Sequence, residues 1–311
     1  MSKKLNSVLG NVLFIFILSL NCIVKSEAAF FSDSKMGVQK DSDSLTDFKK
    51  LNSACFDEDI DQLQQLIDSG VNINAQNKDG LTVLMFAAFK GYTKIVDLFI
   101  KNNADVNIMD KGGNTALHMA VHMNEEAIAE LLLKAHANVN LQNNKDKMMP
   151  IHIALGRGYS NLVKLLITYG ANINILNDYK QSLLILAVTS GQQDIVKVLI
   201  DAKANLNIQD LNGSTALMYA LFMVMQGNKE YIEIAKLLLN AGADVNIKNI
   251  DNESALILAC AAGNKDIVKM LLVKKAQVNI KNQAGLTPLA IAKYSKDKEI
   301  ERLLLKAGAK A

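Results

Sequence analysis

GNTALHMA, residues 113–120, decides the fold because it recurs. GLTVLMFA stands at 80–87, GSTALMYA at 213–220 and GLTPLAIA at 285–292. Measured at the third position of the phrase, Thr82 to Thr115 is 33 residues and Thr115 to Met149 is 34. Met149 to Ser182, Ser182 to Thr215 and Ser254 to Thr287 are 33 each. Thr215 to Ser254 is 39, one period plus six inserted residues. A second landmark keeps the same beat: Ile73-Asn74, Val106-Asn107, Val139-Asn140, Ile173-Asn174, Leu206-Asn207, Val245-Asn246 and Val278-Asn279. Two landmarks sharing the same irregularities exclude coincidence. Self-similarity at such a period marks stacked units that cannot bury their apolar faces singly.

One unit, residues 77–109, shows how. Asp79-Gly80 predicts a tight turn at a hairpin tip. Thr82 precedes the apolar run, where its hydroxyl can cap a helix. Leu84, Ala87 and Ala88 recur at helical spacing, and Gly91 breaks that short helix. Ile95, Val96, Phe99 and Ile100 supply a second apolar face. Asn103, tolerant of left-handed geometry, ends it. Equivalent positions hold Gly70, Gly170, Gly242 and Gly308, but His136, Lys203 and Lys275 in three units. Pro150 and Pro288, the only prolines, fall at the first helical residue, where a missing donor costs little.

A period near 33 with a T-P-L-H-x-A phrase resembles the ankyrin repeat family, over roughly residues 45–311. The resemblance implies an all-α ankyrin repeat solenoid, helix–turn–helix units joined by β-hairpin loops. The units are 45–76, 77–109, 110–143, 144–177, 178–209, 210–249, 250–282 and 283–311. The first lacks the T-P-L-H phrase and the last is rich in charge, as terminal caps require. The insertion between Ala220 and Ile234 is expected to lengthen the first helix or its turn and to project from one side. The resemblance also implies that His118 and His152, in the His place of the phrase, bond with the cap and neighbouring turns.

Residues 1–28 read differently. Lys3 and Lys4 are followed by no charge until Lys25, and VLFIFILSL fills residues 12–20. Ser26-Glu27-Ala28 then sets small residues where a signal peptidase reads. The expectation is a signal peptide removed near Ala28 and export to the periplasm or medium. An uncleaved anchor is the alternative, since 20 uncharged residues would reach about 30 Å as a helix. A lipoprotein site at Cys22 is disfavoured by Asn21. Residues 29–44 read as a flexible lead-in. The Lys, Asn and Ile content points to an AT-rich bacterial genome.

The chain carries 34 basic and 31 acidic residues. Removing Lys3, Lys4, Lys25 and Glu27 with the leader leaves 31 against 30. No basic stripe of a nucleic-acid binder is visible. Only Cys55 and Cys260 then remain, in the first and seventh units. At 8–10 Å per layer they stand tens of ångströms apart, beyond disulfide reach. Cys260 takes the place of Ala88 and Val121 and reads as a small buried filler.

No catalytic constellation emerges. His118 and His122 could share a helix face, but a zinc-protease helix needs Glu where Met119 stands. No third ligand has metal spacing, so no metal or cofactor is expected. Gly156-Arg157-Gly158 reads as a turn between helices, not a phosphate loop. No nucleophile stands beside a base.

Surface remains. Family partners meet the hairpin tips and the exposed side of the first helices, a concave face whose residues escape the repeat consensus. Large apolar residues there are not required by stacking and suit an interface. Phe89, Tyr179, Leu211, Phe222, Met223 and Ile250 are the candidates, concentrated in units five to seven. The functional expectation is a monomeric, exported, non-catalytic scaffold for a protein partner, touching membrane only through an uncleaved leader. The alternative is an immunity-type inhibitor masking a toxin or enzyme in the envelope.

Overall fold

The computed structural model describes residues 43–310. The leader and most of the lead-in lie outside the described residues. Sixteen helices follow in order: α1 (Asp43–Phe56), α2 (Ile60–Asp68), α3 (Val83–Lys90), α4 (Thr93–Lys101), α5 (Ala116–His122), α6 (Glu126–Lys134), α7 (Pro150–Arg157) and α8 (Ser160–Thr168). Then come α9 (Leu183–Thr189), α10 (Gln193–Asp201), α11 (Ala216–Met225), α12 (Tyr231–Asn240), α13 (Ala255–Ala261), α14 (Lys265–Val273), α15 (Pro288–Tyr294) and α16 (Lys298–Lys306). Odd-numbered helices pack against odd-numbered neighbours, and even against even, giving two parallel files. α1 takes in Asp43 and Ser44, the end of the stretch read as lead-in.

The recurring phrase is a helix start. Thr82 Oγ1 accepts the Met85 N–H at 3.2 Å, Ser182 Oγ accepts from Ile185 at 3.3 Å, and Thr287 Oγ1 accepts from Ala290 at 3.1 Å. Each bond satisfies a donor that the first helical turn leaves open. Pro150 and Pro288 open α7 and α15 at the positions their lost N–H allows. Gly156 and Arg157 belong to α7 rather than to a turn; only Gly158, at φ 76°, ends it.

The even-numbered helices all stop the same way. Gly70, Asn103, His136, Gly170, Lys203, Gly242, Lys275 and Gly308 have positive φ. The next amide then reaches back, as Ala104 N–H does to Phe99 O and Ala204 N–H to Leu199 O, at 3.0 and 2.9 Å. This is the Schellman closure, and it caps the open carbonyls of the last turn. The left-handed geometry at Asn103, His136, Lys203 and Lys275 agrees with the sequence reading.

The core is a series of thin layers. Leu84, Ala87 and Ala88 of α3 and Val96 and Phe99 of α4 are buried, as are Leu117, Ala120, Ile128 and Leu132 in the next layer. Cys55 and Cys260 are buried, free thiols. The aliphatic–Asn landmark has a structural role. Asn107 Oδ1 accepts the Asn138 N–H of the next unit at 2.7 Å, and its Nδ2 donates to His136 O at 3.3 Å. Asn140 repeats the clamp on Asn172 N–H at 2.8 Å and Gly170 O at 3.0 Å. Asn74, Asn174, Asn207, Asn246 and Asn279 likewise each accept an amide of the following unit.

Two expectations are modified. No strand forms among the described residues; the hairpins are reduced to isolated antiparallel bridges, Gln76↔Thr82, Leu176↔Ser182 and Lys248↔Ser254. The arms are short, and side chains take over amides that a strand ladder would use. The insertion lengthens α11 to ten residues, against seven in α9 and α13. Tyr231, after the turn, folds back: it is buried, and its hydroxyl donates to Thr189 O at 3.2 Å.

Candidate protein-docking surface

Each tip is closed by the side chain of its first residue. Asn77 Oδ1 accepts the N–H groups of Asp79 and Leu81, both at 2.9 Å. Asn177, Asp210 and Asn249 do the same for Tyr179 and Gln181, Asn212 and Ser214, and Asp251 and Glu253. These Asx turns hold the second and third tip residues outward while satisfying the backbone. The sequence reading located the turns but missed their Asn or Asp closure, which recurs as the first residue of every tip.

Successive tips are stitched together. Lys111 N–H donates to Asp79 O at 2.8 Å, and Asn144 N–H to Gly112 O at 2.7 Å. Leu211 N–H donates to Tyr179 O at 3.1 Å, Ile250 N–H to Asn212 O at 2.9 Å, and Gln283 N–H to Asp251 O at 2.9 Å. The approach is close: a Cβ on Gly113 would lie 2.5 Å from Asn144 N. One rung is absent among the described residues, between the tip at 143–149 and that at 177–182. The former carries the extra residue of the 34-residue spacing, which shifts its register. α7 and α9, beneath it, also touch least of the neighbouring odd-numbered pairs. There Leu155 stands where α3 has Ala88 and α5 has Val121. Arg157 Nε and Gln192 Oε1, on either side of this seam, are buried without a protein partner.

The ladder brings three candidate residues together. Tyr179, Leu211 and Ile250 lie on successive tips and are 43%, 55% and 60% exposed. Leu176, just before the Tyr179 tip, is 46% exposed and extends the row. It was overlooked, although its counterparts Gln76, Gln142, Gln209, Lys248 and Lys281 are polar and only Met109 is not. Phe222 and Met223 lie apart from the tips, near the end of α11; both are half-buried, and Met223 packs on the core. Phe89 lies in the last turn of α3, three units away, half-buried against the core. It does not join the row.

The tips before the seam carry four lysines against Asp79, Asp110 and Asp146. Lys78, Lys111, Lys145 and Lys147 are exposed, and none is within ion-pair distance of a carboxylate among the described residues. Beyond the seam the tips carry Asp178, Lys180 and Asp251, all exposed. Behind them Tyr219 donates its hydroxyl to Asp210 Oδ2 at 2.6 Å, and burial with this carboxylate pushes the phenol pKa up.

Groups able to do chemistry are engaged elsewhere. His118 Nδ1 accepts the Thr115 N–H at 3.2 Å, and Nε2 lies 3.2 Å from Met148 O. His152 Nδ1 accepts the Met149 N–H at 3.1 Å. Burial lowers both imidazoles to about 4, so they are neutral scaffold groups at pH 7. His122 Nε2 meets Arg157 Nη2 at 2.9 Å. Arginine only donates, so Nε2 must accept there. Burial pushes the thiols of Cys55 and Cys260 up to about 12, which removes thiolate chemistry. Among the described residues no three His, Cys, Asp or Glu side chains are placed to hold a metal, and no helix is long and apolar enough to cross a membrane.

This geometry, a capped helix pair, a left-handed stop and an Asx-closed tip repeated in register, matches a known family. The family model for ankyrin repeats (3 copies) matches residues 51–143, 132–210, 151–249 and 217–311. The chain belongs to the ankyrin repeat family. Ankyrin repeats generally mediate protein–protein interaction and are typically non-enzymatic. No curated protein matches the chain. In this ankyrin repeat chain the tips hold the exposed apolar row.

Proposed function

We propose that the protein is an exported, non-catalytic scaffold that grips a protein partner on its tips. The observation carrying this reading is the row Tyr179, Leu211 and Ile250, set on successive tips at 43–60% exposure. Nothing in the stacking requires large apolar side chains there, and contiguous exposed apolar surface marks interaction sites. Export is supported by the leader-like residues 1–28.

The test compares the wild type with a Tyr179→Ser/Leu211→Ser/Ile250→Ser variant as affinity baits in envelope and host-cell extracts. Loss of a recovered protein from the variant alone supports the docking face; equal recovery by both removes it. N-terminal sequencing of the extracellular or periplasmic protein should begin near Ala29. Recovery only in the cytoplasm with Met1 intact refutes export.

A further inference from the structure

We infer that the partner docks through a bipartite segment: acidic residues over the tips before the seam, and large apolar side chains over the tips beyond it. This deepens the docking face proposed above and rests on it. Two observations carry it. Lys78, Lys111, Lys145 and Lys147 stand exposed on three consecutive tips with no carboxylate in ion-pair range, against exposed Asp79 and Asp146 and a half-buried Asp110 that is turned onto Asn114. Lysines without a carboxylate partner on stitched tips are accessible to an incoming anion. The next tips change character abruptly: Tyr179, Leu211 and Ile250 are apolar, with Asp178 and Asp251 against Lys180 beside them.

The change coincides with the missing rung between tips 143–149 and 177–182. Each side of the seam is therefore a separately stitched platform, one basic and one apolar. The complementary occupant has the same order, because an acidic stretch over the lysines gains attraction and an apolar stretch there does not. Length follows from geometry. Tips from Lys78 to Ile250 span five layers, about 40–50 Å at the usual helix spacing. An extended chain covers that with roughly 12–15 residues. A protein segment fits better than a nucleic acid, because the apolar half, with Asp178 and Asp251 against Lys180, offers no net positive charge to a continuing phosphate backbone.

The probe is a displayed library of random 16-residue peptides, selected on the full chain. Enriched peptides should carry acidic residues toward one end and large apolar residues toward the other. Their binding should weaken at least tenfold in Lys78→Gln/Lys111→Gln/Lys145→Gln/Lys147→Gln and lose most of its salt dependence. It should vanish in Tyr179→Ser/Leu211→Ser/Ile250→Ser. Circular dichroism checks that both surface variants stay folded. Peptides that need the apolar row but lack acidic residues, or ignore the lysine changes, overturn the bipartite segment and leave the docking face standing. Peptides indifferent to the serine variant, or no enrichment, overturn both. Binding of a 20-nucleotide single-stranded DNA with the same lysine dependence overturns the inference in favour of nucleic acid.

Discussion

Lys203→Gly together with Lys275→Gly should stabilise the stack, and the structure sets the size. Both lysines end an even-numbered helix in left-handed backbone, at φ 64° and 62°. An L-residue costs roughly 1–2 kcal/mol there. Glycine removes that strain but costs about 0.5–1 kcal/mol of extra chain entropy. The net gain is about 0.5–1 kcal/mol per site. Little is lost with the side chains, which are exposed and in no ion pair among the described residues. The backbone bonds of the closure remain: Lys203 N–H to Ile200 O and Lys275 N–H to Leu272 O, at 2.9 and 3.0 Å. The sites lie two units apart and should add, giving about 1–2 kcal/mol. For a domain of this size that is roughly 2–8 °C in melting temperature. Differential scanning calorimetry reads it, with Lys203→Ala as the control. Alanine removes the lysine side chain but keeps the strain, so it should gain nothing. An unchanged or lower Tm for the glycine pair, or an equal gain from Lys203→Ala, refutes the strain argument.

Three further outcomes follow from other parts of the stack. Asn140→Ala deletes an acceptor for Asn172 N–H and a donor to Gly170 O; it should cost about 1–2 kcal/mol and speed exchange of the Asn172 amide in hydrogen-exchange NMR. His118 and His152, lowered by burial to about 4 when folded and near 6.5 when unfolded, take up protons preferentially in the unfolded chain between those values. Stability should be full above pH 6.5 and fall toward pH 4; a His118→Met/His152→Met variant, borrowing Met85 and Met218 of sister units, should show a flatter acid limb in urea titrations. Gly113→Ala places a Cβ 2.5 Å from Asn144 N at φ 78°, whereas Gly170→Ala meets nothing within 4 Å. The first should lower Tm clearly more than the second, and equal losses would show that the tips are not tightly stitched.

The features legible in the sequence are those written over a few residues. Thr82 lies three residues from the amide it caps, Pro150 occupies the first helical place, and Lys203 sits at the helix stop. Each is a local steric or hydrogen-bonding demand, and the repeat displays it many times. The exposed row was legible for a related reason. Tyr179, Leu211 and Ile250 occupy positions where sister units hold polar or small residues, so they stand out against the repeat. Phe89, Phe222 and Met223 stood out equally, yet their side chains are half-buried. Burial depends on the neighbouring unit, which no single repeat reveals.

The sequence by itself determined the period, the helix starts and stops, and the family. Tertiary structure alone decided what the Asn landmark does, because Asn140 and the amide it holds are 32 residues apart. It alone showed the seam, where one added residue in the tip at 143–149 removes a rung and divides basic tips from apolar ones. It also showed Tyr231 bonding back to Thr189 across 42 residues, which pins the insertion against the preceding unit. A chain advertises the bonds it closes within one turn; bonds between layers exist only once the layers are stacked.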